Sequence, residues 1–148
     1  MQRSVEAAIG DLPEGFRLPL VLRDIADLAP DEIAEILEVP PATVRTRVHR
    51  ARILLRNALA TNFPRRPAPA APSPEHREVC LDLLHTKMLA LDRGAPFEVP
   101  NEELCLRCQS MFAGLDLAQN ACQNLRKGDL PESLARLLEE RFSEKKSP

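Results

Sequence analysis

The segment FPRRPAPAAPSP, residues 63–74, sets the strongest limit on how this chain can fold. Proline brings no backbone N–H and alanine little apolar surface, so the segment cannot pack a core and is expected to run as an extended, semi-rigid spacer. It divides the 148 residues into two parts, 1–61 and 76–148, with 62–75 as the linker. Each part is of a size at which a single hydrophobic core is marginal and a metal, a partner or a covalent staple is often needed.

Within both parts the apolar residues recur at helical spacing, and no alternating β-branched run signals a strand. The chain has five Phe and neither Trp nor Tyr. Its cores must therefore be built from Leu, Ile, Val and Ala, and an all-α fold is expected. Apolar residues make up 44% and charged residues 28%, a globular balance. No apolar run approaches the roughly 20 residues needed to cross a bilayer. No charged-then-apolar leader follows Met1, and a cytoplasmic chain without membrane contact is expected.

In the first part, Pro13 opens a helix carrying Phe16, Leu20, Val21, Ile25 and Leu28 on one face. A short helix follows from about Pro30 to Leu37, with Asp31 and Glu32 favourable in its first turn. A tight turn at Glu38–Pro40 leads to a further helix beginning near Pro41. There Val44, Val48, Ala51 and Leu55 fall at i, i+4, i+7 and i+11 and form one apolar stripe. The other side carries Arg45, Thr46, His49, Arg50 and Arg56. Five arginines and no acid lie between Arg45 and Arg56, although the whole chain has a net charge of −2. All nine acids before the linker lie at or before Glu38, so charge is segregated. Solvated helix faces usually interleave glutamate for i,i+4 pairing, and this one does not. Two short helices joined by a tight turn, the second with a basic outer face, describe a helix-turn-helix that lays its second helix in the DNA major groove. Arginine forks read guanine or clamp phosphates, and threonine and histidine offer short and planar contacts.

The stretch from Leu12 to Leu59, with its Leu-Pro start, the E-I-A-x-x-L helix Glu32–Leu37 and T-V-x-x-R-x-x-R-A-R recast as TVRTRVHRAR, resembles region 4 of extracytoplasmic-function sigma factors. That resemblance implies recognition of the promoter −35 element, with Thr43, Arg45, Thr46, Arg47, His49 and Arg50 as the candidate DNA-facing residues, and docking on the flap of the RNA polymerase β subunit. The promoter-melting region 2 of that family is missing from the sequence, so a segment of a longer sigma factor is expected.

The second part holds all four cysteines, Cys80, Cys105, Cys108 and Cys122. Without a secretion signal, Cys-x-x-Cys points to metal or to redox chemistry before disulfides. Thiolates at that spacing grip a tetrahedral ion, Zn first, with Cd and Cu(I) also compatible. Three helices are expected here, starting near Glu75, around NEELCLRCQSMF, and over PESLARLLEERF. The arrangement resembles the zinc-binding anti-sigma domain, in which a ligand on the first helix precedes H-x-x-x-C-x-x-C. Asn101 stands where that family has its histidine. Candidate ligands are therefore Cys80, Cys105 and Cys108, with His76, one helical turn before Cys80, as the fourth. His85 lies roughly 140° around the helix from Cys80. Cys122 is a second contender only if Gly114 and Asp116 break the helix. On a continuous helix it would lie about 21 Å from Cys108. Its alternative reading is a buried apolar residue aligned with Leu115, Ala118 and Leu125.

A sigma region 4 joined to such a domain resembles the metal-dependent sigma factors of the CorE kind. The expectation is a non-enzymatic transcription regulator whose C-terminal metal site controls promoter and polymerase binding, with contact between the two parts. No phosphate loop, nucleophile elbow or His-Glu-x-x-His is present, and no small-molecule substrate is expected. Two other readings stay open: a purely structural zinc domain that contacts a protein partner, and a thiol redox sensor using Cys105 and Cys108.

Overall fold

The computed structural model describes residues 2–60, 73–126 and 132–145. The described residues form helices and no strand. The helices are α1 (Gln2–Gly10), α2 (Glu14–Leu20), α3 (Pro30–Leu37), α4 (Pro41–Ala60), α5 (Pro74–Arg93), α6 (Leu106–Arg126) and α7 (Glu132–Lys145). Most of the linker expected at 62–75 lies outside the described residues. Its last residues instead begin α5: Ser73 is the N-cap, its Oγ accepting the His76 N–H at 3.3 Å, and Pro74 takes the first position, where no donor is lost.

Local chemistry explains the helix ends. Helix α2 runs through Pro19 into a wider π-helical turn, Val21–Ile25. The Ala26 N–H reaches back to the Val21 carbonyl at 2.9 Å, and Asp27 closes the turn with φ 59°. Aspartate tolerates this left-handed conformation better than most residues. Helix α3 opens on Pro30, and Glu32 accepts the Ala29 N–H at 3.1 Å. Glu38, also left-handed at φ 57°, turns the chain into α4. These are the helix-turn-helix boundaries expected from sequence.

Three groups of buried residues hold the helices together. Leu22, Ile33, Ala34, Val44 and Val48 form the core of the helix-turn-helix itself. Met88, Leu104, Cys108, Phe112 and Leu115 join α5 to the start of α6. The largest group draws on both sides of the linker: Val5, Ile9, Leu20, Val21, Ile25, Ala51 and Leu55 pack with Ala118, Cys122 and Leu125 of α6 and Leu134 of α7. The two parts thus share a core. Burying a leucine or isoleucine fully is worth about 1.5–3 kcal/mol, so this junction is a main source of stability for both parts.

Helix α6 makes the connection. Cys108, Phe112, Leu115, Ala118, Cys122 and Leu125 are all buried along one stripe. Its first half packs on α5 and its second half on the N-terminal helices. Gly114 lies in the middle of this helix, where a Cβ would meet Arg56 Cγ at 2.7 Å, so the glycine permits α4 and α6 to approach.

Candidate nucleic-acid interface and thiol site

Helix α4 presents three kinds of surface. Val44, Val48, Ala51 and Leu55 are at most 2% exposed and fix the helix to its domain. Arg45, Thr46 and Arg50 are exposed. Arg45, Arg47 and Arg50 have no ion pair among the described residues. Thr46 Oγ1 donates to the Ala42 carbonyl at 3.0 Å. Thr43 and Arg47 are half-buried, and Arg47 lines a pocket with Glu14, Gly15, Leu18, Pro19 and Leu37.

The remaining side of α4 is engaged by the C-terminal part. His49 Nε2 lies 2.8 Å from Asp92 Oδ2. A carboxylate can only accept, so Nε2 carries the proton. Arg52 is 3% exposed and donates through Nε and Nη2 to Asp24 at 2.9 and 2.8 Å. It donates through Nη1 to Asp92 at 2.6 Å. Arg23 Nη2 donates to the Asp92 main-chain carbonyl at 2.5 Å. Burial opposes the charge on Asp92, but the hydrogen bond from His49 and the charge of Arg52 hold its carboxyl below the usual value. Burial likewise opposes the charge of Arg52, and the Asp24 and Asp92 carboxylates outweigh it, raising its pKa.

Sequence reading did not single out Arg52, Asp24 or Asp92. A signal was present. Arg52 follows Val48 by four residues at the edge of the apolar stripe, and Asp24 sits between Leu22 and Ile25. A charge in such a setting is buried and requires a partner.

The thiol site lies where α5 meets the start of α6. The Sγ atoms of Cys80, Cys105 and Cys108 all lie within 4.8 Å of one another. Cys80 and Cys105 are 3.8 Å apart. A tetrahedral ion with metal–sulfur bonds near 2.3 Å holds its sulfurs about 3.8 Å apart, so the three thiols fit such an ion. The Cys108 N–H points at Cys105 Sγ across 3.4 Å and lowers the Cys105 pKa, which favours its thiolate. Burial, together with the neighbouring Cys80 and Cys105, pushes Cys108 up to about 12. Cys105 therefore ionises before Cys108, and a bound cation would favour both thiolates. Behind the thiols, Phe97 and Phe112 pack edge to face at 5.1 Å, and Lys87 lies between them and Asp116, to which it donates at 2.6 Å.

His76 is not among the grouped ligands. Its exposed ring turns to the helix cap, with Nδ1 3.3 Å from Ser73 Oγ. His85 is exposed and also lies outside the group. Cys122 cannot join, because α6 is continuous through Gly114 and Asp116 rather than broken there. It is 1% exposed in the shared core, and burial pushes its thiol up to about 12. The reading of Cys122 as a buried apolar residue therefore stands.

Residues 2–55 match the family described as Sigma-70, region 4. The chain is 41% identical over 59 residues to the ECF RNA polymerase sigma factor SigW of Bacillus subtilis, covering 40% of this chain and 32% of that protein. It is 37% identical over 59 residues to the ECF RNA polymerase sigma-E factor of Haemophilus influenzae, covering 40% and 31%. With the ECF RNA polymerase sigma factor SigE of Mycolicibacterium smegmatis it shares 46% identity over 56 residues, covering 38% and 22%. The chain thus spans less than a third of the length of these relatives. No solved structure matches it. No helix among the described residues is long and apolar enough to cross a membrane. With its helix-turn-helix and basic second helix, the stretch of residues 2–55 is thus similar to sigma-70 region 4, and the relatives it matches are ECF sigma factors.

Proposed function

We propose that this chain is the C-terminal part of a cytoplasmic RNA polymerase sigma factor, binding the promoter −35 element through α4 and regulated by a metal ion at its cysteine site. The observation that carries the DNA reading is the exposed pair Arg45 and Arg50, without an ion pair among the described residues, beside Thr46 on a helix whose opposite face is buried. Thr43, Arg47 and His49 complete the contact surface, Arg47 and His49 after side-chain rearrangement. The polymerase β flap is the protein partner by family likeness, and the role is non-enzymatic. A metal ion, zinc first and cadmium or copper(I) next, would be held by Cys80, Cys105 and Cys108, with His76 rotating from its cap to supply the fourth ligand. Such an ion fixes α5 against α6, and α6 carries that constraint into the core of region 4.

The test is duplex binding by fluorescence anisotropy with the full chain. Arg45→Ala or Arg50→Ala should weaken binding to a −35-type duplex by roughly 1–3 kcal/mol where the arginine reads a base, and uniformly across sequences where it holds a phosphate. Unchanged affinity in both variants refutes the reading. Metal analysis of His76→Ala checks the fourth ligand, and retained stoichiometry and affinity would remove it. A second reading is favoured by Val79, Leu81 and Leu106, which are 56%, 58% and 71% exposed around the thiols. A structural zinc domain docking a protein through this apolar rim would hold its ion through any tolerable change in free metal. A redox sensor would instead respond to peroxide.

A further inference from the structure

Arg45, His49, Arg52 and Arg56 recur at i, i+4, i+7 and i+11 of α4 and so lie along one stripe beside the apolar one. Arg45 at its N-terminal end is exposed and has no ion pair among the described residues. From His49 onward, the C-terminal part covers the stripe. Asp92 takes His49 at 2.8 Å and Arg52 at 2.6 Å, and Ser110 Oγ lies 3.5 Å from Arg56 Nη2. Arg23, from the π-helical turn, closes on the Asp92 carbonyl. His49 and Arg52 thus converge on the Asp92 carboxylate, one on each oxygen, while Arg23 holds the main-chain carbonyl of the same residue. A cluster of arginine and histidine donors around one anionic oxygen pair is the chemistry that binds a nucleic-acid phosphate. Asp24 does not serve as that anion. It is 1% exposed and holds Arg52 from inside the domain, leaving Arg52 Nη1 directed to Asp92.

We infer that Arg23, His49 and Arg52 Nη1 form a binding site for a DNA backbone phosphate, and that Asp92 occupies it as an intramolecular stand-in. The site is sequence-independent, because phosphates carry no base information. Asp92 and DNA are competitors, so the apparent affinity of the chain for any duplex is reduced by the fraction of molecules in which Asp92 is seated. Asp92 lies on the same helix as Cys80, about 18 Å along it. The seating of Asp92 is thereby linked to whatever fixes α5 at the thiols. This inference rests on the proposed DNA binding by α4 and gives that regulation its molecular contact.

The experiment compares the full-length wild-type chain with Asp92→Asn, using anisotropy on a −35-type duplex and on an unrelated duplex of equal length across a salt series. Asp92→Asn should tighten binding roughly five-fold or more. The gain should be equal on both duplexes, with a salt slope steeper by about 0.9. Glu98→Gln, which removes the same charge from an exposed position, should give no such gain. A gain in Glu98→Gln of similar size, a gain confined to one duplex, or no gain overturns the inference. If Arg50→Ala weakens binding while Asp92→Asn does not tighten it, the phosphate site fails and DNA binding by α4 stands. If no protein binds either duplex, both fail. Should Asp92→Asn not fold, hydrogen exchange on the wild type decides: amides in the last turn of α5 should lose protection on saturation with DNA, and unchanged or increased protection overturns the inference.

Discussion

Replacing Asp24 with alanine tests the packing that orients α4. Asp24 and Arg52 are 1% and 3% exposed and share two hydrogen bonds at 2.9 and 2.8 Å, so this is an ion pair removed from water rather than a surface bridge. Truncating one partner leaves a buried guanidinium with Asp92 alone. Breaking a buried pair in this way costs about 3–5 kcal/mol, because the buried guanidinium loses two of its three hydrogen bonds and one of its two carboxylate partners. At about 2–4 °C per kcal/mol for a chain of this size, the midpoint should fall by roughly 6–20 °C. Thermal and urea unfolding followed by circular dichroism at 222 nm measure it. The paired replacement Asp24→Leu with Arg52→Met removes both buried charges, and although it also gives up the Arg52 bond to Asp92 it should be less destabilised than Asp24→Ala. A loss below about 1 kcal/mol in Asp24→Ala would refute the reasoning, since it is the value of a solvated pair.

Asp92 and the cysteines carry the remaining predictions. Asp92→Asn should destabilise the fold by about 2 kcal/mol near neutral pH, as expected for losing charged hydrogen bonds at a partly exposed group. Because the folded-state pKa of Asp92 is lowered, its contribution is fully present above the usual value of 3.8 and is lost as the pH falls through the lower folded value. The difference between wild type and Asp92→Asn in urea unfolding should therefore persist down to about pH 4 and close only below it, and a difference that closed already near pH 6 would contradict this assignment. Cys122→Ser should leave metal stoichiometry intact while costing about 1–3 kcal/mol for a hydroxyl buried without a partner, and Cys105→Ser should reduce bound metal. Native Cys122 should also resist iodoacetamide, since its thiol stays protonated.

The elements were legible in the sequence because their signals are local. Pro30 and Pro41 mark helix starts, and the run Val44, Val48, Ala51, Leu55 has a single periodicity. The thiol group was legible because Cys105 and Cys108 are close in sequence and require partners. What was not legible depends on contacts across the chain. Nothing in a helical pattern says that α6 runs unbroken through Gly114, since that glycine answers to Arg56 on another helix. The same holds for Asp92, which reads as a polar residue near a helix end until α5 is seen against α4. The proline segment suggested two separate parts, yet Ala118, Cys122 and Leu125 share a core with Ile9, Leu20 and Leu55. Apolar stripes specify that a face is buried, not which helix buries it.

The measurement that tests the account most directly is the affinity of the full chain for a −35-type duplex with zinc bound and after removal by a chelator, with Cys105→Ser measured alongside. The account predicts at least about a five-fold difference between the two states, abolished in Cys105→Ser. Equal affinity in both states, with the protein folded in each, would contradict it.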